Sequence, residues 1–145
     1  MRLSCIAYQL GFLVTIPSSF QAAAQPSADL KSAIASQYAG DRGIENDSRV
    51  VFAEDFEQRD VQTMAKRWET VRDQGVMSLS SDVPDGSTGK QSLLMTQFAE
   101  KGTGGDLYRR LGDGHDRLHV RMYVKFAEDC EPIHHFGTCV GGNNP

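Results

Sequence analysis

The feature that most constrains the fold is a strict alternation of apolar and polar residues over positions 118–126. The apolar members are Leu118, Val120, Met122, Val124 and Phe126, and the polar members are His119, Arg121, Tyr123 and Lys125. A period of two over nine residues predicts a half-buried β-strand and excludes an amphipathic helix. We therefore expect one face of this strand in the core. The other face presents an imidazole, a guanidinium, a phenol and an ammonium group about 6.8 Å apart.

The chain from residue 50 onward consists of short apolar runs separated by Gly- and Asp-containing turns, such as Pro84-Asp85-Gly86-Ser87. Further strands are predicted at 50–56, 68–72, 76–83, 92–98, 107–111 and 133–140, with one or two helical turns at 61–67. Short strands at this spacing, without long helices between them, predict an all-β fold, an antiparallel β-sandwich.

The first 24 residues have the pattern of an export signal. A positive start at Met1-Arg2 precedes a mostly apolar run over 3–16, and Ala22-Ala23-Ala24 is typical of a signal-peptidase site. The apolar run is shorter than the roughly 20 residues that span a bilayer. We expect a secreted or periplasmic protein cleaved near Ala24, and the alternative is an N-terminal anchor.

The remainder divides into a lead-in and one domain. Residues 25–48 form a predicted lead-in, in which Ser27-Ala28-Asp29 caps a short helix that runs through Ala39. Residues 49–145 form the predicted sandwich domain. Domains of this general type often reach about 200 residues, so we expect a truncated domain, with a complete small sandwich as the alternative.

The cysteines and the net charge of the chain limit which bonds, metal sites and partners are expected. The predicted mature chain retains Cys130 and Cys139, which an oxidising compartment would allow to pair as a disulfide; two buried thiols are the alternative. No pair of Cys or His residues has zinc-finger spacing, and no metal site is predicted. The formal net charge is -4 and no basic run is present, which argues against nucleic acid as a partner.

Three segments resemble concanavalin A-like jelly-roll domains, notably those of polysaccharide lyase-like secreted proteins. The phrase Phe52-Ala53-Glu54-Asp55-Phe56-Glu57 is similar to their opening strand. Residues 118–126 are similar to a central strand, and the His-bearing stretch Pro132-Ile133-His134-His135-Phe136 follows, as in those proteins. The resemblance covers residues 50–145, the N-terminal half of such a fold, and implies two curved sheets with a polysaccharide on one concave face.

The resemblance implies β-elimination from a uronic-acid polymer. Such a reaction needs a base, an acid and a positive group that stabilises the substrate carboxylate. The expected acid–base residues are Tyr123 and one of His134 and His135, because adjacent strand residues point to opposite faces; the alternative is one buried and one exposed histidine without a catalytic role. The expected substrate-binding residues are Arg121, Lys125 and His119. Pro132 stands where alginate lyases carry a glutamine.

The same residues also permit other interpretations. An ordinary solvated strand face explains Arg121, Tyr123 and Lys125, and a surface position explains His119. Trp68 and Tyr108 suit stacking on sugar rings, but a single tryptophan is more often a core residue. A non-catalytic carbohydrate-binding domain and a structural envelope protein are the alternative functions. We expect a monomer without a cofactor; calcium is suggested only by the resemblance, and no ligand set for it is visible.

Overall fold

A computed structural model describes residues 2–7, 11–15, 33–98, 104–112, 114–131, 133, 137 and 139–142. Two short α-helices occur in these ranges, α1 (Ile34–Gln37) and α2 (Val61–Ala65). The strands are β1 (Arg2–Ala7), β2 (Gly11–Thr15), β3 (Val50–Glu54), β4 (Thr70–Arg72), β5 (Met77–Ser80), β6 (Ser92–Phe98), β7 (Asp106–Tyr108), β8 (Leu118–Arg121) and β9 (Lys125–Phe126). Single 3-10 turns lie at Ala39–Asp41, Ile44–Asn46 and Gln74–Val76.

The strands pair antiparallel in three small sheets. Their orders are β5-β6-β1-β9, β3-β2-β8 and β4-β7. The described residues therefore form short antiparallel strands with a minor helical contribution. The jelly-roll arrangement remains a prediction.

Strands β1 and β2 lie within the predicted leader. β1 pairs with β6 from Arg2 opposite Phe98 to Ala7 opposite Leu93, and β2 lies between β3 and β8. Export cleavage near Ala24 remains a prediction. In the full chain, β1 pairs with β6 and β9, and β2 pairs with β3 and β8.

The core forms around α2 and the β5–β6 pair. Its buried members are Phe56, Val61, Met64, Met77 and Leu93. Asp60 is the N-cap of helix α2, and its Oδ1 accepts a 2.7 Å hydrogen bond from the Thr63 amide. This cap satisfies one of the amides that a helix start leaves without an intrahelical acceptor. Val61 and Met64 lie three residues apart on one helix face, so both reach the core.

The continuous strand predicted over 118–126 is wrong. The segment forms two separate strands, β8 and β9, which pair in different sheets, and residues 122–124 between them are not in a strand. Val120 and Phe126 are 37% and 49% exposed, so the predicted apolar face is not a core face throughout. Alternation specifies local side-chain directions but not the strand partner, and a change of partner breaks the strand without disturbing the alternation.

The other predicted elements are recovered to different extents. β6 has the predicted bounds 92–98, whereas β3, β4, β5 and β7 fall within or overlap the predicted runs but are shorter. The predicted lead-in helix ends at Gln37 rather than Ala39, because Ala39 already belongs to a 3-10 turn, and the predicted start of this helix lies outside the described residues. Of the predicted strand 133–140, residues 133, 137, 139 and 140 are described and none is in a strand.

Candidate functional site

Arg121 and Tyr123 meet around the buried carboxylate of Asp41, which no sequence pattern indicated. Arg121 Nη1 donates a 2.8 Å hydrogen bond to Asp41 Oδ1, and the Tyr123 hydroxyl donates a 2.7 Å bond to Asp41 Oδ2. Arg121 Nη2 also donates to the Tyr123 hydroxyl oxygen, and its guanidinium lies 5.0 Å from the centre of the Tyr123 ring. The three side chains thus form a closed triangle, and each is held by the other two.

Asp41 reaches this position through an unusual turn in the predicted lead-in. Gly40 and Asp41 both have left-handed backbone angles, with φ of 62° and 60°. Glycine adopts this conformation without strain, and aspartate tolerates it better than most residues do. The neighbouring Ile44 is 2% exposed and anchors the following turn. The turn therefore directs the Asp41 carboxylate inward, where only 3% of its side chain is exposed.

The environment of Tyr123 keeps its phenol protonated. Burial, followed by the hydrogen bond to Asp41, raises the pKa of Tyr123 above its ordinary value of 10.0. The raised pKa has a simple cause, since a phenolate would be desolvated and would face a carboxylate at 2.7 Å. In this arrangement the Tyr123 hydroxyl is a hydrogen-bond donor, and it is unsuited to act as a base at neutral pH.

Lys125 is paired with a second carboxylate. Its Nζ lies 2.7 Å from Asp82 Oδ2, in the segment that follows β5. Around this pair is a depression of about 320 Å³, between the 82–85 segment and the link from β8 to β9. Its lining residues are Asp82, Val83, Pro84, Asp85, Tyr123, Val124 and Lys125. We call this depression the Tyr123 pocket.

The structure brings together three of the six predicted catalytic and substrate-binding residues. Tyr123 and Lys125 line one pocket, and Arg121 contacts Tyr123 behind it. His119 is exposed on β8. His134 and His135 lie outside the described residues, so their predicted roles remain predictions. No disulfide joins Cys130 and Cys139 in this structure, in which Cys130 Sγ lies 3.4 Å from the Glu131 carbonyl oxygen; the pairing remains a prediction.

A separate buried hydrogen-bond network surrounds Glu54, which lies in the segment 52–57 that resembles a jelly-roll opening strand. Its Oε1 accepts hydrogen bonds from the Phe56 amide at 3.0 Å and from Arg67 Nη1 at 3.2 Å, and Oε2 accepts from Trp68 Nε1 at 3.0 Å. Burial raises the pKa of Glu54 despite these donors. Trp68 also packs edge-on against Phe52, with ring centres 5.0 Å apart. Trp68 is thus a packing residue rather than an exposed platform.

Asp41 and Asp82 had no sequence signal that would have indicated a site. Asp41 lies 80 residues from Arg121, and Asp82 lies 43 residues from Lys125. Isolated aspartates in turns are common for local conformational reasons. Only the tertiary pairing distinguishes these two from the other acidic residues of the chain.

Three further findings bear on partners. Within the described ranges, no cluster of three or more His, Cys, Asp or Glu side chains is suitable for a metal ion. In the same ranges, no helix has the length and apolar character needed to cross a membrane. Comparisons of the chain with protein-family models, with curated proteins and with solved structures found no match.

Proposed function

We propose that this chain is an exported carbohydrate-binding protein that holds one sugar residue of a polysaccharide in the Tyr123 pocket. The observation that carries the proposal is the position of the Lys125–Asp82 pair beside Tyr123 at the pocket wall. A sugar ring has adjacent hydroxyl groups that each donate and accept hydrogen bonds. An ammonium donor next to a carboxylate acceptor complements such a pair of hydroxyls.

The size and lining of the pocket support a single sugar unit. A volume of about 320 Å³ lies at the lower end of the range for small-ligand sites. Val83, Pro84 and Val124 supply apolar wall, and Asp82, Asp85 and Lys125 supply polar contacts. A small apolar surface with a few oriented polar groups is typical of pockets that fix the orientation of a ligand.

The charge arrangement favours a neutral sugar. Arg121 is paired with Asp41, and Lys125 is paired with Asp82, so neither cation presents an uncompensated charge. A uronate carboxylate at this site would have to compete with an internal carboxylate at each cation. The hydroxyl groups of a neutral sugar bind without displacing either pair.

β-Elimination by the same fold is the second candidate, and the Arg121–Tyr123 contact is the observation that favours it. A lyase needs a positive group and a proton-transferring residue close together. The raised pKa of Tyr123 suits a proton donor, not the base that removes the sugar C5 proton. In this alternative, the base is supplied by His134 or His135. The jelly-roll fold, the polysaccharide partner, the monomeric state and the lack of nucleic-acid binding belong to the proposal in either form.

The test is calorimetric titration of the purified full chain with neutral and uronate oligosaccharides. Tyr123→Phe removes the hydroxyl that bonds Asp41, and Lys125→Met removes the ammonium. Lys125→Met is expected to weaken neutral-sugar binding about tenfold, the effect of losing one hydrogen bond to a charged group. Tyr123→Phe is expected to have a smaller effect, because the Tyr123 hydroxyl is already bonded to Asp41 and Arg121. The matched controls are Tyr108→Phe and Lys66→Met, which alter exposed residues outside the pocket. Equal losses of affinity in the variants and their controls would refute the Tyr123 pocket as the sugar-binding site.

Turnover separates the two candidates. β-Elimination creates a double bond conjugated to the uronate carboxylate, which absorbs ultraviolet light. Binding of neutral oligosaccharides without such absorbance supports the carbohydrate-binding function. Absorbance growth that Tyr123→Phe abolishes would instead establish the lyase, and no binding by any oligosaccharide would refute both.

A further inference from the structure

A second group of arginines lies around Phe52, on the face of the β3-β2-β8 sheet opposite to Arg121. Phe12 of β2 is in register with Ala53 on one neighbouring strand and with Arg121 on the other, whereas Leu13 is in register with Phe52 and Val120. Residues in register project to the same face of a sheet, and consecutive residues project to opposite faces. Phe52 and Arg121 are therefore on opposite faces.

Arg67 and Arg109 lie over the Phe52 ring, with guanidinium carbons 5.8 Å and 4.7 Å from its centre, and Arg110 follows Arg109 in the chain. Arg67 and Arg110 are both paired with carboxylates. Arg67 contacts Glu54 at 3.2 Å and Asp55 at 3.6 Å. Arg110 forms a two-pronged contact with Glu69, through Nε at 2.9 Å and Nη2 at 2.8 Å.

The third arginine, Arg109, is exposed but held in place. Its guanidinium carbon lies 4.7 Å from the centre of the Phe52 ring, and its Nη1 donates a hydrogen bond to the Arg67 carbonyl oxygen. Among the described residues Arg109 forms no ion pair, although its charge contributes to lowering the pKa of Glu69, which is paired with Arg110. A guanidinium has five N–H donors in a planar fork, and this contact uses only one nitrogen of that fork.

We propose that Arg109 is a binding site for a planar carboxylate anion. An arginine on the surface normally loses side-chain freedom when it binds an anion, and that loss weakens binding. The Phe52 ring and the Arg67 carbonyl already restrict Arg109, so less freedom remains to be lost. The planar fork matches a carboxylate with two parallel hydrogen bonds. The carboxylate belongs either to a free organic acid or to an acidic sugar.

The test is nuclear magnetic resonance titration of the full chain, following the arginine Nε–H signals. The probes are sodium acetate and sodium glucuronate, with glucose and sodium chloride as controls. We expect the Arg109 signal to shift saturably with acetate and glucuronate and to be insensitive to glucose and chloride. Equal affinity for both acids identifies a free-carboxylate site, and tighter glucuronate binding identifies an acidic-sugar site.

Two variants test the planar guanidinium of Arg109 and the Phe52 ring that restricts it. Arg109→Lys retains the charge but loses the planar fork, and we expect about tenfold weaker acetate binding. Arg72→Lys is the matched control and should bind like the wild type, because Arg72 is 73% exposed and its partner is Asp106. Phe52→Leu, which removes the ring beneath Arg109, is a second route to weaker binding. Unchanged affinity in Arg109→Lys, or equal shifts with chloride, would overturn the proposal. The Tyr123 variants test the Tyr123 pocket, so failure of one site is distinguishable from failure of the other.

Discussion

Replacing Glu54 with glutamine tests whether the buried carboxylate organises this part of the core. The side chain of Glu54 is fully buried, and both of its oxygens accept hydrogen bonds. If the glutamine oxygen keeps the Phe56 and Arg67 contacts, its amide nitrogen must face the Trp68 N–H. Two buried donors then oppose each other. Leaving a buried polar group without a partner costs about 1–3 kcal/mol, so we expect a loss of that size in the free energy of unfolding.

The measurement is urea denaturation followed by tryptophan fluorescence, because Trp68 is the single tryptophan of the chain. Trp68→Phe removes the opposing donor and should therefore be less damaging in the Glu54→Gln background than in the wild type. Because Trp68→Phe removes the fluorophore, the cycle is completed by circular dichroism. Asp55→Asn is the control, since Asp55 is 54% exposed and lies 3.6 Å from Arg67. We expect that variant to change stability by less than about 0.5 kcal/mol.

The pH dependence provides an independent check with a defined sign. Burial raises the folded-state pKa of Glu54 above its ordinary 4.5, so the folded protein binds this proton more tightly than the unfolded chain does. The resulting contribution to stability is fully present below the unfolded pKa and is lost as pH rises through the folded pKa. When Glu54 is protonated, each of its oxygens still has a lone pair that can accept a hydrogen bond, including the one from Trp68 Nε1. The amide nitrogen of a glutamine has no such lone pair. The wild type should therefore gain stability relative to Glu54→Gln as the pH falls toward 4.5.

Two results would refute this reasoning. One is a Glu54→Gln variant as stable as the wild type at neutral pH. The other is strict additivity of Glu54→Gln and Trp68→Phe to within about 0.5 kcal/mol, because residues in direct contact are expected to couple.

Three other predictions follow from single contacts. Asp60→Ala should lower the melting temperature at neutral pH by removing the cap of α2, whereas Asp60→Asn should preserve it. The hydrogen bonds from Thr63 lower the pKa of Asp60 to about 2, so the stability that the ionised Asp60 contributes is lost as the pH falls through that value. Asp41→Ala should lower the pKa of Tyr123 toward 10.0 in an ultraviolet titration, and an unchanged Tyr123 titration would contradict the hydrogen-bonded triangle. If the exported protein is cut near Ala24, its intact mass will lack residues 1–24, and an exported product that retains them would contradict cleavage. Cleavage also removes β1, which pairs with β6, so the β6 amides should exchange hydrogen faster than in the uncut chain.

The sequence by itself determined the local features of this protein. Turn residues and short apolar runs located β3, β5 and β6, because backbone preferences and side-chain alternation act over a few neighbouring positions. Alternation likewise placed Arg121 and Tyr123 on one side of the chain, and they do contact each other. The polar character of the candidate site was therefore visible before its geometry.

Only the tertiary structure decided which charges oppose one another and where strands change partners. The alternation over 118–126 is equally compatible with one long strand and with β8 and β9 in separate sheets. Asp41 and Asp82 neutralise Arg121 and Lys125 across 80 and 43 residues of chain. Such pairings depend on how distant segments pack, which no local pattern encodes. The change from a predicted uronate-binding row to a proposed neutral-sugar pocket has this physical cause.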